Sequence, residues 1–187
     1  MNNGPVTEEP LPGKRAGRVM LIIAWAGGLY LATHLFGLWE EHRENPNDQV
    51  SSRRVTEKSG EVVEVTLLAN RQGHFVASGQ INQQPVKFFL DTGSTDVAVP
   101  ESLAGQLGLQ PGDPITLSTA NGHIDAYRTR LDELRLGEIS LHNVRAVIDP
   151  GLDDQEVLLG MSALRQLDFS QRGGTLLLRQ TLNQTNQ

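Results

Sequence analysis

Hydrophobic and polar positions divide the chain into one continuous apolar stretch near the N-terminus and a longer region of alternating pattern. The stretch runs from Val19 to Trp39 and contains no Asp, Glu, Lys or Arg in 21 residues. As an α-helix rising about 1.5 Å per residue, it would measure about 31 Å, which matches the hydrocarbon thickness of a bilayer. The pattern predicts a transmembrane helix over residues 19–39, with Trp39 as an interfacial aromatic residue.

Two other interpretations of this stretch are a cleaved signal peptide and a buried core helix. A signal peptide normally has a shorter apolar region, and no small-residue cleavage motif follows Ala32. A core helix would require an apolar partner surface that the rest of the chain does not offer. The membrane span is therefore the favoured interpretation.

Basic residues are more numerous before the stretch than after it. Lys14, Arg15 and Arg18 lie in the N-terminal tail, residues 1–18, whereas the acidic pair Glu40–Glu41 follows the stretch and Arg43 is the only nearby basic residue on that side. The positive-inside rule then predicts a cytoplasmic tail and an extracytoplasmic remainder. The chain is predicted to be a single-pass inner (cytoplasmic) membrane protein whose domain lies in the periplasm if the source is a Gram-negative bacterium.

Most of the remaining chain, residues 61–180, places hydrophobic residues at every second position, which is the period of a β-strand. Two dipeptides, Asn121-Gly122 and Gly137-Glu138, interrupt this pattern with residues that favour tight hairpins. No internal repeat occurs, and about 120 residues are enough to enclose one hydrophobic core. The pattern predicts one all-β domain over residues 61–180.

Short helices and polar segments complete the predicted organisation. Helices are predicted at residues 101–107, where Gly108 would end the helix, and at residues 161–167. Residues 40–60 are polar and are interpreted as a linker between the membrane and the domain. The polar residues 181–187 are interpreted as a flexible tail.

The composition excludes several functional classes. The formal net charge is −6 and no segment concentrates Lys and Arg, which argues against nucleic-acid binding. The chain contains no cysteine, so disulfides, thiolate catalysis and Cys-ligated zinc are excluded. None of the five histidines lies in an HExxH or HxH pattern, so no metal site is predicted.

The strongest chemical signal is the segment FFLDTGSTDVAVP, residues 88–100. Apolar strands on both sides place the carboxylate of Asp91 at the end of a buried strand, which an ordinary surface turn would not require. Thr92 offers a hydroxyl that braces the turn, and Gly93 lets backbone and solvent approach the carboxylate. Ser94 is expected to donate a further hydrogen bond to Asp91.

Two further segments follow this motif in a recognisable order. Residues 116–131 form a predicted hairpin with its tip near residues 120–122, and residues 157–169 form an apolar strand, Gly160 and a short helix. Together with Asp-Thr-Gly-Ser, these segments resemble the retropepsin-like aspartic proteases. With the apolar stretch ahead of them, they look most like the bacterial, membrane-anchored, single-domain branch of that family.

The resemblance covers about residues 61–180 and implies a closed β-barrel with one or two short helices, without cofactor or metal. It implies that Asp91, Thr92 and Gly93 form the catalytic loop, with Thr92 interlocking with its mate across a dimer axis. It also implies that Leu158, Leu159 and Gly160 pack beneath this loop and that the strand at residues 174–180 contributes to a dimer interface. The implied contacts to a peptide or protein substrate are Ser94, Ala120, Asn121 and Gly122.

A single Asp-Thr-Gly has a consequence for assembly. The chemistry of aspartic proteases needs two carboxylates that share one proton, because two like charges at that distance do not both ionise. No second Asp-Thr-Gly occurs in the chain, and about 120 residues are too few for two lobes. The sequence therefore predicts a homodimer in which a second copy supplies another Asp91.

Three other functions fit parts of the sequence. The segment Gly160–Leu164 resembles a serine nucleophile turn, but that motif needs Gly at the position of Leu164. A catalytically silent peptide-binding module tethered to the membrane would use the same cleft without hydrolysis. A structural protein that only dimerises would not require Asp91.

Overall fold

The computed structural model describes residues 13–57, 60–119, 122–152 and 156–182. The chain divides into two compact units, Met1–Glu41 and His42–Gln187. In chain order, the elements are α1 (Gly13–Glu44), β1 (Ser52–Glu57), β2 (Gly60–Leu68), β3 (Val76–Ile81), β4 (Gln84–Leu90), β5 (Val97–Pro100), α2 (Glu101–Ala104), β6 (Pro114–Thr119), β7 (Gly122–Leu136), β8 (Ile139–Asp149), β9 (Val157–Leu159), α3 (Met161–Leu164), β10 (Asp168–Arg172) and β11 (Thr175–Leu182).

Helix α1 contains the whole apolar stretch and extends beyond it at both ends. Within the helix, Gly17–Gly37 is long and apolar enough to cross a membrane, and none of these residues is buried. The side chains of Trp25 and Leu29 are 74% and 67% exposed. Apolar surface of this extent is unfavourable in water and favours a bilayer environment, a property that a signal sequence shares.

One sheet of seven strands closes on itself. Its order is β3-β4-β9-β5-β8-β7-β6, and β3 also pairs with β7 through Gln80↔Arg135 and Ile81↔Leu134. The additional pairing closes a ring from β3 to β7 and leaves β6 attached outside the ring through β7. The predicted closed β-barrel with two short helices is confirmed. The hydrophobic core includes the fully buried side chains of Ile81, Phe88, Leu131, Leu134 and Leu159.

A second sheet of four antiparallel strands has the order β1-β2-β11-β10. On β2, the predicted alternation is confirmed, since Val63, Val65 and Leu67 are all buried. Strand β10 was not predicted, because all its residues are exposed and only Phe169 among them is strongly apolar. Strand β11 pairs with β2 on one side and β10 on the other, so most of its backbone is not available for pairing with another chain.

The segment predicted as a linker over residues 40–60 is largely part of the β domain. Asn47 is 5% exposed, and its side-chain amide donates to Leu68 O at 2.9 Å and to Val76 O at 2.6 Å. Its Oδ1 accepts from Leu68 N at 2.8 Å. Asn45 donates to Ser78 Oγ at 2.9 Å, and β1 pairs with β2 along its length. The polar residues of this segment therefore form hydrogen bonds with backbone groups at the end of β2 and the start of β3.

We expect Asn47→Ala to lower the free energy of unfolding of the β domain by about 3 kcal/mol, because one buried N–H and two carbonyl groups lose their partner. Denaturant unfolding of the full chain in detergent, followed by far-UV circular dichroism, measures this change. The exposed neighbour Gln49, whose side chain makes no such bond within the described residues, provides the control variant Gln49→Ala. Equal free energies of unfolding for the two variants would contradict the proposed stabilising role of the Asn47 hydrogen bonds.

Both predicted helices begin at the predicted residues and are shorter than predicted. Helix α2 leads into a turn in which Gly108 has φ 70°. Leu109 N donates to Ala104 O at 2.9 Å and Gly108 N to Gly105 O at 3.2 Å, which is the Schellman arrangement at a helix end. The prediction that Gly108 ends this segment is confirmed.

The hairpin turns agree with the sequence where the structure describes them. Leu136 pairs with Ile139, and Gly137 has φ 59°, as a two-residue hairpin loop requires. In the β6–β7 hairpin, Thr119 pairs with Gly122. An unpredicted hairpin joins β3 to β4 through Asn82-Gln83, with φ values of 48° and 68°.

Candidate active site

Asp91 lies directly after β4, at the edge of a three-strand arrangement. Strand β9 runs parallel to β4, with Leu90 paired to Leu159, and it also pairs with β5 through Ala98↔Leu158. Asp91 N donates to Leu159 O at 3.2 Å. The loop of residues 91–96 therefore crosses the end of β9 between two strands of the barrel.

This loop is fastened to the segment that follows β9. Met161 N donates to Ser94 O at 2.8 Å, and Ser162 N donates to Thr95 O at 2.9 Å. A Cβ atom at Gly160 would press against the carbonyl oxygen of Asp96 and lie 2.9 Å from that of Ser94. Glycine is the residue that allows the two segments to approach this closely.

The carboxylate of Asp91 is half-buried and has one oxygen engaged. Its Oδ1 accepts a hydrogen bond from Gly93 N at 2.8 Å. A Cβ atom at Gly93 would lie only 3.1 Å from the same oxygen, so the absence of a side chain leaves the carboxylate accessible. No other residue in the described ranges forms a hydrogen bond or ion pair with the Asp91 side chain.

Two expected side-chain contacts in the loop differ from the structure. Ser94 Oγ donates to Asp96 O at 2.8 Å rather than to Asp91, because the chain turns back after Ser94 and brings that carbonyl nearer. Thr92 is exposed, and its hydroxyl has no hydrogen-bond partner in the part of the chain that the structure describes. The turn is braced by Gly93 N–H and Ser94 instead of by Thr92.

The hydroxyl of Ser162, which the sequence suggested only as a candidate nucleophile, is buried and stabilises the active-site loop through hydrogen bonds to the backbone. Ser162 is 8% exposed; its Oγ accepts from Val97 N at 3.0 Å and donates to Arg145 O at 2.7 Å. It thereby links α3, β5 and β8. With both bonds directed to the backbone, Ser162 is not placed as a nucleophile, which removes the basis for the serine hydrolase hypothesis.

Asp96, at the end of the loop, is neutralised within the chain. Its Oδ1 lies 3.1 Å from Arg145 Nη2 in an ion pair that lacks hydrogen-bond geometry. Arg145 comes from β8, so the pair connects the loop to the neighbouring strand. Its charge is therefore compensated, whereas that of Asp91 is not.

A cleft of about 520 Å³ opens in front of Asp91. It brings Asp91, Gly93 and Ser94 together with Leu117 and Ile124 from the β6–β7 hairpin. The remaining lining residues are Thr95, Asp96, Ala98, Val147, Asp149, Gly151, Leu152 and Leu158.

Of the three predicted substrate contacts at the hairpin tip, the structure describes one. Gly122 is exposed at the start of β7, whereas Ala120 and Asn121 lie outside the described residues. The cleft walls contributed by Leu117, Ile124 and Asp149 were missed by sequence reasoning. Their only local signal is strand alternation, which does not show that distant segments meet.

The chemistry available at this site is that of one accessible carboxylate. A carboxylate held at the end of a strand and open to solvent can orient a water molecule and accept its proton. Within the described ranges, no group of three His, Cys, Asp or Glu side chains is arranged to hold a metal ion.

Comparison with known proteins agrees with this geometry. Residues 77–166 match the family model described as "gag-polyprotein putative aspartyl protease". The crystal structure of a retropepsin-like aspartic protease from Rickettsia conorii superposes with a TM-score of 0.53 at 26% identity, covering 71% of this chain and 94% of that one.

Two curated relatives are uncharacterized bacterial proteins. One, from a Sinorhizobium species and named for the cobV 5′ region, is 30% identical over 63% of this chain. The other, from Rickettsia prowazekii, is 31% identical over 58% of this chain. The matches cover 51% and 47% of these relatives, so the chain spans about half of their length.

Proposed function

Since the chain belongs to the retropepsin-like aspartic protease family, we propose that it is a membrane-anchored aspartic endopeptidase that works as a homodimer. The observation that carries this proposal is the Asp91 carboxylate, which opens onto the 520 Å³ cleft with one oxygen held by Gly93 N–H. The substrate class is an extended peptide or an unfolded protein segment.

In this mechanism, Asp91 from each of two copies forms a pair that shares one proton. The ionised member takes a proton from a water molecule, whose oxygen attacks the carbonyl carbon of the peptide bond. The protonated member donates to the developing oxyanion, which gives a neutral tetrahedral intermediate. As its C–N bond breaks, the carboxyl that took the proton from water protonates the leaving amine, and the other carboxylate recovers its proton from a hydroxyl of the intermediate. No covalent intermediate with the chain forms.

Two features support the homodimer. The sequence contains one Asp-Thr-Gly motif, that of Asp91, whereas the reaction uses a pair of such carboxylates. Thr92, next to Asp91, is exposed and its hydroxyl is without a partner in the described residues, as a group that bonds to a second copy would be. A twofold axis would bring the same residue of both copies together.

The apolar part of α1 supports anchoring in the membrane. In this arrangement the N-terminal tail lies in the cytoplasm and the protease domain lies outside, as the flanking charges predict. Tethering two domains to one bilayer raises their effective concentration and favours the active dimer.

The direct experiment is a cleavage assay. The full chain in detergent is incubated with an unstructured protein, with and without a peptide analogue that mimics the tetrahedral intermediate. We expect fragments in the first sample and none in the second, because such an analogue binds the carboxylate pair more tightly than substrate. An intact substrate in both samples would count against the proposal.

The shared proton gives a testable pH dependence. We expect kcat/KM for one peptide to follow a bell-shaped curve between about pH 3 and pH 9, since only the singly protonated pair is active. Activity rises as the first proton leaves the pair and falls as the second leaves. Circular dichroism at each pH controls for unfolding, and a flat profile over the range where the fold persists would contradict the shared proton.

A further inference from the structure

Besides Asp91 and the ion-paired Asp96, the cleft is lined by a third carboxylate, that of Asp149. Asp149 ends β8, is 4% exposed and lines the same cleft as Asp91. Its Oδ1 accepts a hydrogen bond from Gly151 N at 2.8 Å, which fixes the side chain in a tight turn. The turn accounts for the hydrogen bond to Oδ1. It does not account for the presence of a carboxylate in the lining of the cleft.

Asp149 has no positive partner in the described part of the chain. By contrast, Asp96 pairs with Arg145, and Glu156 lies 3.5 Å from Lys87 Nζ. The sequence from residue 149 to residue 156 holds four carboxylates and no Lys or Arg. A buried carboxylate without a counter-charge is unfavourable, so a cation arriving in the cleft would be bound favourably.

The surroundings of Asp149 fit a long side chain with a charged end. A Cβ atom added at Gly151 would lie 3.3 Å from Asp149 Oδ1 and 3.5 Å from Ile124 Cδ1. The carboxylate of Asp149 and the apolar side chain of Ile124 are therefore close to each other in the cleft. Leu152 extends the apolar lining. Lys and Arg place their methylene groups along apolar surface and their charge at its edge, which matches this arrangement.

We propose that Asp149 is a specificity-determining residue that selects substrates with a Lys or Arg side chain close to the cleaved bond. This inference rests on the proposed peptidase function of the cleft. The carboxylate of Asp149 forms a charge-assisted hydrogen bond with the basic head group, while Ile124 and Leu152 contact its aliphatic stem.

The test compares Lys with norleucine, which has a similar apolar stem without the charge. Fluorogenic unstructured peptides carry one or the other at single positions on either side of the cleaved bond, and kcat/KM is measured with the full chain in detergent. We expect the Lys peptide to be cleaved about 10- to 100-fold better at one position, the ratio expected for a hydrogen bond to a charged group.

The matched variant is Asp149→Asn, which keeps an oxygen for the hydrogen bond from Gly151 N and removes the charge. We expect it to lose the preference for Lys, so that kcat/KM for the Lys peptide falls to about the value for the norleucine peptide with the same variant. The exposed Asp113, which does not line the cleft, provides the control variant Asp113→Asn, expected to retain that preference.

The outcomes separate this inference from the proposed function. Equal cleavage of Lys and norleucine peptides at every position overturns the role of Asp149 and leaves the peptidase intact. If neither peptide is cleaved, the proposed function fails, and fluorescence anisotropy then measures binding of the same peptides. Tighter binding of the Lys peptide that Asp149→Asn abolishes would still support the inference, whereas equal binding would overturn it.

Discussion

Replacing Asp91 with Asn is expected to reduce peptide cleavage by about 10³-fold or more while the fold is retained. Asn has nearly the same shape, and its side-chain oxygen can still accept the hydrogen bond from Gly93 N that holds the loop. It neither takes a proton from water nor shares one with a second carboxylate. The measurement is kcat/KM on a fluorogenic peptide, together with circular dichroism and thermal unfolding of the full chain.

The control for this variant is Asp113→Asn, which removes the same charge from an exposed residue outside the cleft. We expect that variant to retain activity close to that of the wild type. The two non-catalytic hypotheses make the opposite prediction for Asp91→Asn. A membrane-tethered binding module or a purely structural dimer would function equally well with Asn at this position.

Gly160→Ala is expected to lower the free energy of unfolding by about 3 kcal/mol and to abolish activity. Gly160 has φ −87° and ψ −175°, which alanine adopts readily, so the effect does not come from backbone strain. It comes from the added methyl group, which would press against Asp96 O and lie 2.9 Å from Ser94 O. These are backbone atoms of the active-site loop, so relief of the clash would displace the loop that carries Asp91.

A second glycine in the same domain provides the matched control. Gly105 follows α2 with φ −62° and ψ −42°, and a Cβ atom there would meet nothing within 4 Å. Gly105→Ala is therefore expected to raise the free energy of unfolding by about 0.5–1 kcal/mol and to leave cleavage unchanged. Denaturant unfolding of both variants tests the difference in sign, and a stable, active Gly160→Ala chain would contradict the described packing of the loop.

The fold was predictable from the sequence where a local pattern decides the structure. Alternation of buried residues on β2, the turn at Gly137 and the turn at Gly108 after α2 each depend on a few neighbouring positions. Asp91 was identifiable because apolar runs flank it on both sides. In each case, the residue type restricts the backbone conformation or determines the burial of its own segment.

Contacts between distant segments were not predictable in this way. Asn47 lies in a polar stretch that resembles a linker, and only the fold shows that its amide reaches Leu68 and Val76. Asp149 lies far along the chain from Asp91, and no local pattern indicates that the two line one cleft. Strand β10 has almost no apolar alternation and is held by its pairing with β11.

The direct test of the two-copy carboxylate pair is a mixing experiment. Wild-type chain and Asp91→Asn are co-produced at varied ratios with constant total amount, so that dimers form at random. A pair built from two copies predicts that activity falls with the square of the wild-type fraction, to about one quarter when half of the chains are wild type. A linear decrease, with about half of the activity remaining at that point, would show that each chain acts alone.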